Sequence, residues 1–299
     1  LEDLPVKPFL SMLVVVVALL LAGCATGFPQ QAGPAAASDG RSAQAIFDQC
    51  LATHGGDVRD HPGDLNLSMT GRWYAAIKRL QPVVTDAGFR ISAEERFLPG
   101  AKLHVVHHRG PDGEKRVVRG PDSIEVFYNG VRETDPGKLA ATAMTTDAFQ
   151  LFHFGPSFIR WRAAGLLRLD DAVEGGARYH RLLATLRPGF GESESDQAVL
   201  WIDAESHRLY RVHITLEGFD STRGAHVDTT FLEYRQVGPF LLPVRFHERV
   251  RGPVRIDAHR WWTTGADVDR GWTAADITGP AFTGAAAAPA AALSGVAAD

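Results

Sequence analysis

From residue 42 onward the apolar positions follow first a helical and then a two-residue period. Ile46, Phe47, Cys50 and Leu51 share one helical face. Ser42 stands where a hydroxyl caps free amides, and Gly55-Gly56 where a left-handed residue closes a helix, so a first helix is expected from about Ser42 to Thr53. Alternation then takes over. Leu65, Leu67, Met69 and Trp73 fall on one side of a strand and Phe89, Ile91, Ala93 and Phe97 on one side of the next, with Leu103 and Val105 continuing the pattern. Pro111-Asp112-Gly113 and Asn129-Gly130 supply hairpin-type turns, the second after Ile124, Val126 and Tyr128. Residues 75–84 fit neither period.

One helical stretch interrupts the strands. Asp135 and Pro136 make a cap followed by a first-position proline, and Leu139, Ala140, Ala143 and Met144 follow at helical spacing. A second, short helix is expected from Asp147 to Phe154, ending at Gly155-Pro156. Strands resume with Leu182, Ala184 and Leu186, with Val199 to Asp203 and with Tyr210, Val212, Ile214 and Leu216. Three more follow, from His226 to Tyr234, from Leu242 to Val250 and from Ile256 to Trp262. Short strands separated by Gly, Pro and Asp turns predict an antiparallel meander rather than parallel units, so the fold class is mainly β (α+β).

Composition narrows the class. The 299 residues are 45% apolar and 22% charged with only two cysteines, as in a folded globular protein, and a net charge of -4 gives no basic excess for nucleic acid. Before the folded part, Phe9 to Ala22 runs without a charge, behind Lys7 and ahead of Gly23-Cys24. That is signal-peptide length, shorter than the ~20 residues of a membrane span. Leu21-Ala22-Gly23-Cys24 resembles the lipobox of bacterial lipoproteins. The resemblance implies a signal peptide over 1–23 and acyl chains on Cys24 that anchor the chain to the outer membrane of a Gram-negative bacterium, facing the periplasm. An ordinary secretory signal with an incidental cysteine is the alternative. Residues 24–41, rich in Ala, Gly, Gln, Pro and Ser, read as a flexible tether, 42–278 as the folded domain and 279–299 as a disordered Ala/Gly/Pro tail. Neither flank is expected to add stability. With Cys24 acylated, Cys50 has no partner and reads as a small buried hydrophobe.

The order of elements is familiar: a helix ending in His54-Gly55-Gly56, a meander, a helical insert and a second meander. Within the second meander Val173-Glu174-Gly175-Gly176-Ala177-Arg178-Tyr179 precedes Leu200-Trp201-Ile202-Asp203, then Glu233-Tyr234 and Leu242-Pro243. The chain resembles the LolA/LolB-like outer-membrane lipoprotein-sorting superfamily over about residues 42–278. The resemblance implies a curved antiparallel sheet of about eleven strands, forming an unclosed barrel with a helical plug.

A curved sheet has a concave face that must be filled by side chains, covered by helices or occupied by an apolar guest. Trp73, Phe97, Phe149, Phe152, Phe154, Phe158, Trp201 and Phe246 are the candidates to line such a cavity, with ordinary core as the alternative for each and the insert residues Phe149, Phe152, Phe154 and Phe158 the better placed to line a mouth. The insert from Pro136 to Phe158 is expected to cross one face as a lid, hinged at Gly155-Pro156. Other chemistry is thin. His104 and His108 share a strand face while His107 points away, so the three read as surface histidines and not as metal ligands. Gly191 to Asp196 reads as a solvated acidic tip, and Arg116, Arg119, Arg132 and Arg160 to Arg162 as solvated ion pairs. No nucleotide-binding or hydrolase motif is present, and no cofactor is expected. Three classes stay open: a lipid-anchored monomer that binds or transfers an apolar, acyl-chain or lipid-like ligand; a structural or assembly protein of the envelope; and, last, a cofactor-free enzyme.

Overall fold

The computed structural model describes residues 27–29 and 39–279. The expected signal peptide, Cys24 and the tail from residue 280 lie outside the described residues. Thirteen strands make one sheet: β1 (Leu65–Trp73), β2 (Ser92–Leu98), β3 (Leu103–Gly110), β4 (Gly113–Arg119), β5 (Ile124–Tyr128), β6 (Val131–Arg132), β7 (Ala163–Glu174), β8 (Ala177–Leu186), β9 (Asp196–Asp203), β10 (Leu209–Thr215), β11 (His226–Val237), β12 (Phe240–Gly252) and β13 (Ile256–Val268). Their spatial order is β6-β5-β4-β3-β2-β1-β13-β12-β11-β10-β9-β8-β7, so two meanders join where β1 pairs antiparallel with β13. The edges β6 and β7 do not pair, and the sheet is an unclosed, curved half-barrel. It carries two strands more than the expected eleven or so, one of them the two-residue β6.

Among the described residues six α-helices accompany it: α1 (Ala43–Thr53), α2 (Ala75–Leu80), α3 (Pro82–Thr85), α4 (Pro136–Phe154), α5 (Pro156–Arg162) and α6 (Ala274–Thr278). The unassigned stretch 75–84 is thus helical, and the two helices expected between Asp135 and Phe154 are one. Asp147, expected to begin the second, is fully buried inside α4. Arg119 of β4 donates to it through two nitrogens at 3.0 Å, the Gly191 amide donates at 2.9 Å, and Arg162 lies 3.2 Å away. Because the chain leaves the sheet at one edge and re-enters at the other, α4 and α5 must span the open side. Asp147 ties that crossing to both meanders.

The concave face divides in two. Beneath the second meander it is apolar, with Leu182, Leu200, Val212, Phe231 and Phe246 all in the main core. Beneath the first it is more polar, because Glu95 of β2, His104 and His108 of β3, and Lys115 and Arg119 of β4 are all buried on that side. The apolar reading of β3 is therefore inverted. Val105 faces outward and packs with Val118 under Ile277 of α6, and Leu103 flanks that cluster. A capping box between Thr273 and Asp276 starts α6, and the Arg116 guanidinium donates to the Thr278 and Gly279 carbonyls at its end.

Part of the expected tether also lies on the sheet. Phe28 packs against Leu169, Leu183 and Val199 on the convex face and meets the His213 ring edge-on at 5.0 Å. Asp39 accepts from Arg168 at 2.7 Å.

Helix α1 ends on a doubly engaged imidazole. His54 Nδ1 donates to the Leu241 carbonyl of β12 and Nε2 accepts from the Leu209 amide of β10, both at 3.1 Å. Gly55, at φ +93°, turns the chain so tightly that a Cβ there would sit 2.3 Å from the Pro239 carbonyl. Only neutral imidazole can accept from Leu209, and burial holds His54 down to about 4 from its ordinary 6.5. The sign follows. The unfolded chain takes up the proton first, so this contribution is present above about pH 6.5 and is lost as pH falls toward about 4. The loss is on the order of 3 kcal/mol. Thermal melts across that range should show a steep fall in Tm that a His54→Gln variant flattens; parallel profiles would contradict the assignment.

For Asp147, replacement by alanine leaves the buried Arg119 guanidinium facing the half-buried Arg162 without a counter-charge. Asp147→Ala is expected to cost ~3 to 5 kcal/mol of unfolding free energy in urea. A loss below about 1 kcal/mol would show that the seam holds without it.

Candidate functional site

Helix α4 lies across the concave face with different stripes toward the two halves. Thr142, Thr146, Gln150 and His153, spaced by four, four and three residues, are its buried polar stripe; Met144, Ala148, Leu151 and Phe152 belong to the apolar core. On the polar side charged groups pair with one another, although Glu95 Oε1, His104 Nδ1 and His108 Nδ1 have no hydrogen-bond partner among the described residues. Glu95 Oε2 lies 2.8 Å from His104 Nε2 and 3.2 Å from His153 Nε2. Burial raises the Glu95 carboxyl, but the two imidazoles outweigh it and hold the group well below its ordinary range. Lys115 donates to Asp86 at 2.6 Å and to Thr142 at 3.0 Å, and burial brings its ammonium down to about 8. His104 and His108 are thus buried members of an ionic cluster, not surface residues. His107 does face outward, 3.1 Å from Glu114.

On the apolar side the sheet and helix do not fill the space. A cavity of about 290 Å³ is enclosed by Met144, Ala148, Phe149 and Phe152 of α4, by Trp73 and Ile77, and by Val227 and Val250 of β11 and β12. That is near the lower bound of the ~300 to 1,000 Å³ usual for ligand sites. Its rim is made by α2 and α3, the 216–225 segment and the turn at Pro253-Val254. Gln81 and Ser221 clasp the rim: the Gln81 amide donates to the Ser221 carbonyl at 2.8 Å and the Ser221 hydroxyl donates to Gln81 Oε1 at 2.6 Å. Leu80, 57% exposed, stands beside the clasp.

The aromatic candidates separate by place. Trp73, Phe149 and Phe152 line this cavity. Phe97 stacks on Phe154 at 4.5 Å and borders a second, more polar cavity of about 520 Å³ with Trp161, Arg119 and Arg162. Phe154, Phe158 and Phe246 are packed core, Phe158 stacking on Phe190 at 5.7 Å and Phe246 lying 5.3 Å from Phe152. Trp201 belongs to neither cavity. It stands on the convex face with Leu183 and Val199, because alternation along β9 sends Ala198, Leu200 and Ile202 inward.

The hydropathy pattern left three further groups unrecognised. Arg116 and Arg119 are buried rather than solvated, whereas Arg132 and Arg160 are exposed. Asp196 is no solvated tip: it is buried and accepts from the Phe190 and Glu217 amides and the Thr215 hydroxyl. The cavity rim, α2 and α3, lies where the sequence fits no period. Cys50 is buried, and burial pushes its thiol far up. Among the described residues no group of three or more His, Cys, Asp and Glu is placed to hold a metal ion, and no helix is long and apolar enough to cross a membrane.

The fold is similar to that of several solved structures. A DUF1329 family protein from Desulfovibrio piger is 13% identical, with 81% of this chain and 99% of that chain covered and a TM-score of 0.50. A LolA superfamily protein from Nitrosomonas europaea is 11% identical over 80% of this chain and 98% of that chain, with a TM-score of 0.49. A domain from Vibrio parahaemolyticus, described as a putative outer membrane lipoprotein-sorting protein, is 11% identical over 79% and 96%, with a TM-score of 0.43. At such identities the likeness concerns the fold alone. No family model matches the chain, and no curated protein matches it.

Proposed function

We propose that this protein is a lipid-anchored, periplasm-facing module of the outer membrane that holds an acyl chain or similar apolar ligand in the cavity between α4 and β11–β13, acting as a monomer and by binding, not catalysis. The cavity carries the reading. Its walls are mostly apolar, it lies on the concave face where a curved sheet has most space to spare, and its rim comes from short elements clasped by a single pair of side chains. The lipobox-like Leu21 to Cys24 supports the membrane attachment. One acyl chain binds a membrane only marginally, so the two or more chains on a lipoprotein cysteine would secure it. The polar cavity does not compete as an acyl site, because Arg119, Asp147 and Arg162 lie in its wall.

Filling the cavity tests the reading. Ala148 faces it from α4 and Val254 from the rim. In a titration with an environment-sensitive apolar fluorophore, the unaltered protein should bind, and Ala148→Phe and Val254→Trp should each weaken binding by about tenfold or more, a change of ~1.4 kcal/mol. Overpacking at Ala148 costs ~1 to 3 kcal/mol, whereas half-exposed Val254 lets its variant fold normally. Equal affinity in both folded variants would sink the proposal.

A further inference from the structure

The inner face of β12 runs Phe240, Leu242, Val244, Phe246, Glu248, Val250: one carboxylate in an otherwise apolar row. Strand register sets Glu248 opposite His259 of β13 on one side and Thr229 of β11 on the other, and His259 opposite Trp73 of β1. His259 is 1% exposed, and neither ring nitrogen makes a hydrogen bond. Its Nδ1 is 2.9 Å from Glu248 Oε2 but out of line with it. The Thr229 hydroxyl, fully buried, also has no partner. Buried polar groups are almost always paired, so two neighbours of Glu248 with bonding capacity to spare mark a place where something else completes the set.

Both Glu248 and His259 line the apolar cavity. The imidazole is fixed there, its ring parallel to Phe149 within 11° at 5.7 Å and tilted over Trp73 at 4.2 Å. With its faces covered, only its edges can bond. Arg90, the buried cation nearby, lines the small void on the other side of Phe149, donates to the Val84 carbonyl and lies across the Trp73 and Phe149 rings.

We infer that Glu248 and His259 form the polar end of the cavity, selecting an amphiphile whose head donates a hydrogen bond, a hydroxyl or an amine, and rejecting a free carboxylate. This rests on the reading that the cavity takes an apolar chain. The chemistry is directional. An ionised carboxylate only accepts, so the atom that meets Glu248 must be a donor, and a hydroxyl can at once donate to Glu248 and accept from a protonated His259 nitrogen. A fatty-acid carboxylate would instead bring like charge against Glu248 in a low-dielectric wall.

The test compares heads on one chain. Dodecanol, dodecylamine and dodecanoate each displace a bound apolar fluorophore from the purified full-length chain at about pH 8, where the acid is ionised. The alcohol and amine should bind about tenfold more tightly than the acid, and Glu248→Gln and Glu248→Leu should bring the three within about threefold, each displacement being corrected for that variant's own fluorophore affinity. Two results overturn the inference alone: the acid binding as well as the alcohol, or the ranking persisting in both folded variants. A wild-type protein that binds no fluorophore overturns the cavity reading, and this one with it.

Discussion

Asp147 sits at the point where an open sheet would otherwise part. Its oxygens receive β4 from the first meander and the Gly191 amide from the loop that follows the second meander's first hairpin, with Arg162 at the end of α5 alongside. A half-barrel has no hydrogen bonds across its gap, so the closure has to come from the chain that crosses it. A carboxylate buried on the crossing helix supplies charge-assisted bonds to both sides. Once α4 is pinned there, its rotation is set, and with it which stripe faces which half of the sheet.

That rotation explains why the two halves of the concave face differ. The polar stripe of α4 meets Glu95, His104 and Lys115, which would be costly to bury without partners: Glu95 pairs with His104 and His153, and Lys115 with Asp86 and Thr142. The apolar stripe meets the second meander, where no such matching is needed. There small and medium side chains on α4, Ala148 and Met144, stand back from the β11–β13 wall. Space is left on the side where an apolar guest meets least resistance. The ring stack of Trp73, His259 and Phe149 bounds it.

Much of this was legible in the sequence, and the exceptions share a cause. The first helix, the two meanders and the crossing insert follow from local periodicity and turn residues, which act within a few positions. Strand β3 did not follow the same rule. Its apolar Leu103 and Val105 suggested an inward face, but α6, some 170 positions away in the chain, covers them from outside, while His104 and His108 turn inward to partners on β2, β4 and α4. Arg119 and Asp196 looked solvated for the same reason: a buried ion pair or amide cradle is defined by residues far off in sequence. Among the aromatic candidates, periodicity could not tell cavity wall from core, since Phe149 and Phe246 touch each other and only one reaches the void. Trp201 could have been set apart, because it alternates against Leu200 and Ile202. Cys24 lies outside the described residues.

The claim on which the account turns is that the concave face offers an apolar site beside α4 and nowhere else does the sheet take up such a ligand. Methyl-labelled NMR during titration with dodecanol reads this residue by residue. The account predicts saturable shifts at Ile77, Met144, Leu216, Val227 and Val250, which line the cavity, with Leu183 and Val199 on the convex face unmoved. Shifts centred on the convex-face methyls, or none at any of these positions, would contradict it.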